Sequence, residues 1–175
     1  FIAFTGLTNI LIFFLQESLN WTTKASSGTL VVVGVIAIIV QGGLIGPLVK
    51  KFGEMKLTLI GSGFILLACF LLITTPQENA IVNIYSAVSF LAVGAGLITP
   101  TLRALISKKL DGDNQGSILS NLQGLQSLGG VLGIGMAGRV YDDFGPKAPF
   151  IAGSIILLFM IYLIAEGKNN NISYN

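Results

Sequence analysis

The chain has 175 residues, of which 53% are hydrophobic and only 10% are charged, and its net charge is +2. An ordinary globular domain carries about 25% charged residues, so this composition does not fit a soluble enzyme or binding domain. The small net charge gives no reason to expect a nucleic-acid partner, and the absence of histidine excludes a histidine-based metal or acid–base site. Cys69, the only cysteine, offers no disulfide and is expected to pack as a small apolar residue.

Uncharged stretches are the main pattern along the chain, and all ten basic and eight acidic residues lie between or after them. These stretches are Phe1–Gln16, Leu30–Val49, Leu57–Thr75, Ala80–Thr99, Ser117–Gly138 and Ala148–Ala165. Five of them are 18 to 22 residues long, close to the roughly 20 residues that a helix needs to cross a bilayer. A soluble helix would show charges inside the pattern at helical spacing. We therefore predict an all-α polytopic membrane protein with six spans, at about 1–16, 28–49, 57–75, 80–102, 117–138 and 148–165.

The first predicted span has an unusual beginning. The chain opens with Phe1 and is apolar through Leu15, with no basic region and no small-residue cleavage site as in a signal peptide. We expect a helix that lacks its first residues, and therefore a fragment of a longer protein.

Basic residues are unevenly distributed between the two sides of the predicted bundle. Seven of them fall in the second–third connection, the fourth–fifth connection and the tail: Lys50, Lys51, Lys56, Arg103, Lys108, Lys109 and Lys168. The other connections hold Lys24, Arg139 and Lys147. The positive-inside rule places the first set in the cytoplasm. Residues 1–167 are then the membrane bundle of an integral membrane protein, in the plasma (inner) membrane, and 168–175 are a cytoplasmic tail.

The second–third connection carries a recognisable motif, GPLVKKFGEMKL, from Gly46 to Leu57. Gly53 permits a positive φ angle that closes a helix, and lysines near that end suit the helix dipole and the anionic inner leaflet. The string resembles the signature cytoplasmic loop of the major facilitator superfamily. The residues that match the signature are Gly46, Leu48, Lys51 and Gly53, whereas Lys50 stands where the family often has an acid.

Two further strings resemble drug:proton antiporters of the tetracycline-efflux type. The run Ile98–Ser107, followed by Asp113–Gly116, is similar to the end of their tenth helix and the next loop. The run Gly129–Gly138 resembles the glycine-rich antiporter motif, with Ile134 in place of its proline and Ala137 in place of a glycine. The resemblance implies that the six spans are the family's seventh to twelfth helices, the C-terminal half of a twelve-helix transporter. The loop motif and Arg103 are candidate gating residues at the cytoplasmic end.

Small residues inside the spans have two interpretations. Glycines spaced four apart let neighbouring helices approach closely. For Gly129, Gly133 and Gly138 the resemblance adds a second role, in which the helices bend and slide.

Polar residues inside the spans must face a neighbouring helix or a water-filled cavity, because lipid offers no hydrogen-bond partner. Ser120, Gln123 and Ser127 share one face of the fifth span. The resemblance implies that the first, second, fourth and fifth spans border a central cavity and that the third and sixth lie outside. The candidate cavity residues are Asn9, Gln41, Asn83, Tyr85, Ser120, Gln123 and Ser127. Helix–helix hydrogen bonding remains the alternative for each amide, and ordinary packing remains so for Tyr85.

Arg103 has three interpretations. Its guanidinium binds lipid phosphate, it caps the fourth helix, or it forms a gating ion pair with Asp111 or Asp113.

Trp21 and Tyr141 lie just outside spans on the predicted outer side, where aromatic residues favour the membrane interface.

The absence of certain chemical groups from the sequence excludes several classes of function. No span contains an ionisable side chain, so a proton-binding acid would have to come from outside this chain. Neither a phosphate-binding glycine–lysine loop nor a nucleophile–base pair is present, so we predict no enzyme, no cofactor and no metal. We predict part of a secondary transporter that exports small molecules by alternating access, with the bilayer, a missing N-terminal half, a small-molecule substrate and protons as partners. A channel, a membrane-embedded binding protein and a non-transporting fragment are the alternatives.

Overall fold

The computed structural model describes residues 2–76, 80–108 and 115–170, and all secondary structure within them is helical. In chain order the elements are α1 (Ile2–Leu19), α2 (Thr23–Ile39), a π-helical turn (Val40–Leu44), α3 (Ile45–Phe52), α4 (Glu54–Thr74), α5 (Ala80–Lys108), α6 (Gln115–Phe144) and α7 (Ala148–Asn170). The π-helical turn joins α2 and α3 into one continuous segment, so these elements correspond to the six predicted spans. The all-α prediction is confirmed.

Four segments of the described residues are long and apolar enough to cross a membrane. They are Thr23–Phe52, Glu54–Thr74, Ala80–Ser107 and Ala148–Glu166. The apolar part of α1, Ile2–Glu17, is shorter. The remaining long helix, α6, is less apolar because it carries amides, serines and many glycines. The architecture is that of a polytopic membrane protein.

The helices extend well beyond the uncharged stretches, so the predicted connections are too long. The second helical segment begins at Thr23, α5 continues through Pro100 to Lys108, and α6 ends only at Phe144. The predicted tail is likewise helical as far as Asn170. The physical reason is that the absence of charge marks the part of a helix inside lipid, whereas helical hydrogen bonding continues into the interface. There, long charged side chains can reach water.

Local sequence explains two of the helix boundaries. Thr22 has an extended backbone, and its hydroxyl oxygen accepts a hydrogen bond from the Ala25 amide at 3.3 Å, which is a regular N-cap. Gly53 separates α3 from α4 with φ +76° and ψ 161°, a conformation that side chains disfavour. Its amide donates to the Val49 carbonyl at 2.9 Å, which closes α3. Gly53 therefore has the positive φ angle that the sequence predicted.

The main core lies between α1, α4, α5 and α7. Its largest buried side chains include Leu11, Phe14, Ile65, Val88 and Phe150. Phe14 and Phe150 meet edge to face with ring centroids 5.2 Å apart, which is a favoured aromatic geometry. Cys69 is also buried in this core, as predicted for a small apolar residue.

The helix pair with the most extensive contact is α4 with α5. A Cβ built on Gly61 would lie 2.9 Å from the Gly94 carbonyl oxygen, and one built on Gly94 would lie 2.6 Å from the Gly61 carbonyl oxygen. The same helix pair is joined by a buried hydrogen bond between the hydroxyls of Thr58 and Thr101, whose oxygens are 2.9 Å apart. Such approach is possible only where both helices lack side chains, which is how membrane helices pack tightly without a hydrophobic driving force.

The helices α2 and α6 lie at the periphery, α2 against α5 and α6 against α1. Their buried positions are small or hydroxyl residues, whereas large apolar side chains such as Val31, Ile38, Leu125 and Val131 are exposed. This is the reverse of a water-soluble helix. These surfaces are suited to lipid or to another apolar protein surface.

Candidate functional site

The most distinctive polar cluster joins α5 to α6. The Nη2 group of Arg103 donates hydrogen bonds to the amide oxygen of Gln123 at 3.0 Å and to that of Gln126 at 2.9 Å. Gln123 and Gln126 are three residues apart in α6, so both project from one face of the helix. We call Arg103, Gln123 and Gln126 the Arg103 cluster. Two amide oxygens share one cationic group in it, which is a charge-assisted arrangement.

The position of Arg103 follows from the continuation of α5 past Pro100. Because the helix does not end at the proline, Arg103 is held in a helical turn and faces α6 rather than a loop. The sequence predicted lipid phosphate, a helix cap or an aspartate as its partner, whereas the structure gives two amides on the neighbouring helix. Asp111 and Asp113 lie outside the described residues.

The hydroxyl face of α6 continues from this cluster. Ser120, Gln123 and Ser127 are all exposed on the bundle. The Ser127 hydroxyl donates to the backbone carbonyl of Gln123 at 3.0 Å, so its oxygen can still accept a hydrogen bond from a ligand. The predicted face of α6 is thus an accessible polar strip beside the guanidinium.

The other candidate cavity residues do not join this cluster through any hydrogen bond among the described residues. The side chain of Asn9 donates to the Thr5 carbonyl in its own helix at 2.9 Å and is exposed. Gln41 is exposed on the π-helical turn, and Asn83 is half-buried in the first turn of α5. The ring of Tyr85 packs against Trp21 with centroids 6.2 Å apart. These residues lie on three different helical segments.

The loop motif forms the end of α3 and the following turn. Leu48 packs against the small apolar cluster around Val40, Leu57 and Leu97. The ammonium group of Lys51 lies 5.3 Å from the centre of the Phe52 ring, a cation–π distance. Gly46 has open space around it.

The π-helical turn precedes this motif. Pro47 provides a local reason for it, because proline lacks the amide hydrogen and crowds the preceding turn. A π-helical turn is uncommon within α-helices and frequently marks a functional site. This geometry allows a bend between α2 and α3.

The three glycines of the α6 motif have different surroundings. A Cβ on Gly133 would overlap the carbonyl oxygen of Ile2 in α1, whereas nothing lies within 4 Å of one built on Gly138. Gly129 is buried. The crossing partner in α1 is Gly6, where a Cβ would lie 2.7 Å from the Gly133 carbonyl oxygen.

The ends of α1 and α6 are joined by a second polar contact. The Tyr141 hydroxyl donates to a carboxylate oxygen of Glu17 at 2.5 Å. An O–H group bound to a carboxylate at this distance is a strong hydrogen bond. It links the two helices at the side opposite the loop motif.

Sequence reasoning did not select Gln126 as a site residue, and it did not pair Thr58 with Thr101. Gln126 could have been selected from its spacing of three from Gln123, which puts both amides on one face. No comparable pattern predicts the threonine pair, because those residues lie on different helices. Among the described residues, no group of three or more Cys, Asp or Glu side chains is placed to hold a metal ion.

Comparison with known families identifies the chain. The sequence model of the Major Facilitator Superfamily matches residues 1–134, which is more than half of the chain. The chain belongs to the major facilitator superfamily. This family consists of membrane transporters rather than enzymes, and membership agrees with the all-helical architecture. No solved structure matches the chain at a significant level.

Among curated relatives, the chain is 30% identical over 124 residues to tetracycline resistance protein class H of Pasteurella multocida, covering 71% of the chain and 30% of the relative. It is 27% identical over 127 residues to the class C protein of Escherichia coli, covering 70% and 30%. It is 21% identical over 165 residues to multidrug resistance protein 2 of Bacillus subtilis strain 168, covering 93% and 40%. The chain therefore spans less than half the length of these relatives.

Proposed function

We propose that this superfamily member is the C-terminal six-helix half of a drug-exporting secondary transporter of the plasma membrane. It works by alternating access, with export coupled to protons and with the C-terminus in the cytoplasm. The observation that carries the proposal is the similarity of the chain to two tetracycline resistance proteins and a multidrug resistance protein. In transporters of this kind, two helical bundles rock about a site near the middle of the membrane.

The geometry of the polar surface supports this function. The exposed strip Ser120, Gln123 and Ser127, together with Arg103, has the composition of one wall of a substrate cavity: a few oriented polar groups beside extensive apolar surface. A second bundle facing α6 would complete the cavity. The exposed apolar faces of α2 and α6 would then be shared between that bundle and lipid.

Proton coupling in this proposal requires an acid that the chain does not supply inside a span. The carboxylates of the described helices lie near helix ends, as with Glu17 in α1, Glu54 in α4 and Glu166 in α7. Intramembrane acids are the usual carriers of coupled protons. The proposed N-terminal half would therefore hold the proton-binding group.

The test uses the full-length protein, meaning the complete reading frame that contains this chain, in everted bacterial membrane vesicles. Respiration acidifies the vesicle interior, so an exporter coupled to protons takes up tetracycline, and nigericin, which removes the pH gradient, abolishes the uptake. Gly133→Leu is expected to stop uptake because it blocks the α1–α6 crossing. Gly135→Leu, on the same helix with open space around it, is the matched control.

Two results would count against the proposal. Uptake that survives nigericin together with valinomycin, which removes the membrane potential, would rule out proton coupling. No uptake of tetracycline or of a panel of other drugs, with the protein present in the membrane fraction, would rule out drug export.

A further inference from the structure

The Arg103 cluster presents several free hydrogen-bond donors to its surroundings. A guanidinium has five N–H donors and no acceptor, so each glutamine must turn its amide oxygen toward Arg103 and its NH2 group away. Within the described ranges, neither amide NH2 group nor the Nε and Nη1 groups of Arg103 have a hydrogen-bond partner. The free nitrogen groups of the cluster are therefore all donors beside a positive charge, and each amide oxygen already accepts a hydrogen bond from the guanidinium.

The cluster also lies deep along α6. At 1.5 Å per residue, Gln123 and Gln126 are about 9 and 14 Å from Ser117, where the predicted span begins. Arg103, near the C-terminal end of α5, is thus held by two amides that lie about two to three turns into α6.

The positive charge has no counter-ion among the residues that the structure describes. No carboxylate of these residues forms an ion pair with Arg103, and its two partners are neutral amides. Among the described residues, two amides orient the guanidinium and no carboxylate neutralises it.

The cluster is accessible to such a ligand. Gln123 is exposed on the bundle, and Arg103 and Gln126 are half-buried. Among the described elements, α5 and α6 otherwise touch only slightly, so the cluster joins two helices that are not packed closely together. A planar oxygen group that reaches its exposed side could accept hydrogen bonds from the guanidinium edge and the amide NH2 groups.

We propose that the Arg103 cluster is a substrate subsite that binds an anionic oxygen group, a carboxylate or phenolate, on an otherwise aromatic or apolar small molecule. The inference rests on the proposed transport function and adds the class of substrate to it. Arg103 supplies the charge, and Gln123 and Gln126 hold its guanidinium in place while offering their own amide hydrogens.

The test compares rhodamine B, which carries a carboxylate, with its methyl ester, which does not. Binding of each dye to the purified full-length protein in phosphatidylcholine nanodiscs is measured by fluorescence anisotropy. Arg103→Met is expected to weaken binding of rhodamine B by about tenfold or more, the effect of losing a charge-assisted hydrogen bond, and to change the ester by less than about twofold. Arg139→Met, an exposed arginine near the other end of α6, is the matched control and should leave both dyes unchanged.

Gln126→Glu separates a binding role from a structural role. The new carboxylate keeps the contact with Arg103 and strengthens it, so a cluster that only clamps two helices would stay intact. A substrate subsite would lose its free charge, and rhodamine B binding should fall by about tenfold with no fall in melting temperature. Equal losses for both dyes in Arg103→Met, or wild-type binding of rhodamine B with Gln126→Glu, would overturn the proposal.

Two further arms distinguish the alternatives. The same anionic chemistry could come from a lipid phosphate, so the dyes are also measured in nanodiscs that contain phosphatidylglycerol. If rhodamine B still binds in preference to its methyl ester, the result supports a substrate subsite. If this preference is lost, the site is assigned to lipid and the proposal is overturned. Vesicle uptake of the same dyes is the second arm. Selective binding without uptake would contradict the proposed transport function but not the subsite, and uptake of both dyes without selective binding would contradict the subsite alone.

Discussion

Replacing Gly133 by alanine perturbs the closest approach between α1 and α6. A Cβ at this position would overlap the carbonyl oxygen of Ile2 and lie 3.0 Å from the carbonyl carbon. Across the same crossing, a Cβ on Gly6 would lie 2.7 Å from the Gly133 carbonyl oxygen. Both obstacles are backbone atoms, so no side chain can rotate away. The two helices must therefore separate to accept even one methyl group.

The size of the effect follows from the cost of overpacking a tight site, about 1 to 3 kcal/mol. At about 2 to 4 °C per kcal/mol for a chain of this size, the melting temperature of Gly133→Ala should fall by roughly 2 to 12 °C. Gly135→Ala is the matched control, because it lies on the same helix with nothing within 4 Å of the added atom. Its melting temperature should stay the same or rise slightly, since alanine favours helix over glycine.

The assay is thermal unfolding in detergent, followed with a dye that fluoresces on reaction with thiols. Cys69 is suited to it because this cysteine is buried in the core of α4, and its exposure reports the loss of tertiary packing. Equal melting temperatures for Gly133→Ala and Gly135→Ala would refute the argument that backbone contact at this crossing limits the residue to glycine.

Three other predictions follow from local geometry and charge. Thr58→Val should cost about 0.6 kcal/mol in unfolding free energy, the average for hydrogen bonds between membrane helices, and a double-mutant cycle with Thr101→Val should recover a coupling of that size. Gly53→Ala should cost about 1 to 3 kcal/mol, because alanine must adopt φ +76°. Cysteines placed at Lys56 and Lys147, both exposed, should react differently with an impermeant reagent from outside the cell, where only the second is accessible.

Each of these has its own control and contrary result. Zero coupling in the cycle would mean that the two hydroxyls are satisfied by their own helix carbonyls alone, as Thr101 is with Leu97 at 2.7 Å. For Gly53→Ala, the control is Gly63→Ala, a helical glycine in α4 with open space around it; equal stability would contradict the strain argument. Labelling of both cysteines from outside, or of the cysteine at position 56 alone, would contradict the proposed orientation.

The sequence by itself determined the helical class, the membrane character and the family. Each depends on short-range chemistry: a run without charges inserts into lipid wherever its neighbours lie, and Gly53 adopts a positive φ because it has no Cβ. The predicted ends of the helices were less accurate, because charge marks the edge of the lipid rather than the end of helical hydrogen bonding. The helix α5 therefore passes through Pro100, and α6 continues to Phe144.

Only the tertiary structure decided which residues meet. Gly133 and Gly138 belong to one motif and look equivalent along the chain, yet the first contacts the backbone of α1 and the second has open space around it. Arg103 had three reasonable partners, and the structure gave it Gln123 and Gln126. The physical reason is that spacing along a helix fixes which residues share a face, whereas the rotation and crossing of two helices fix what that face contacts.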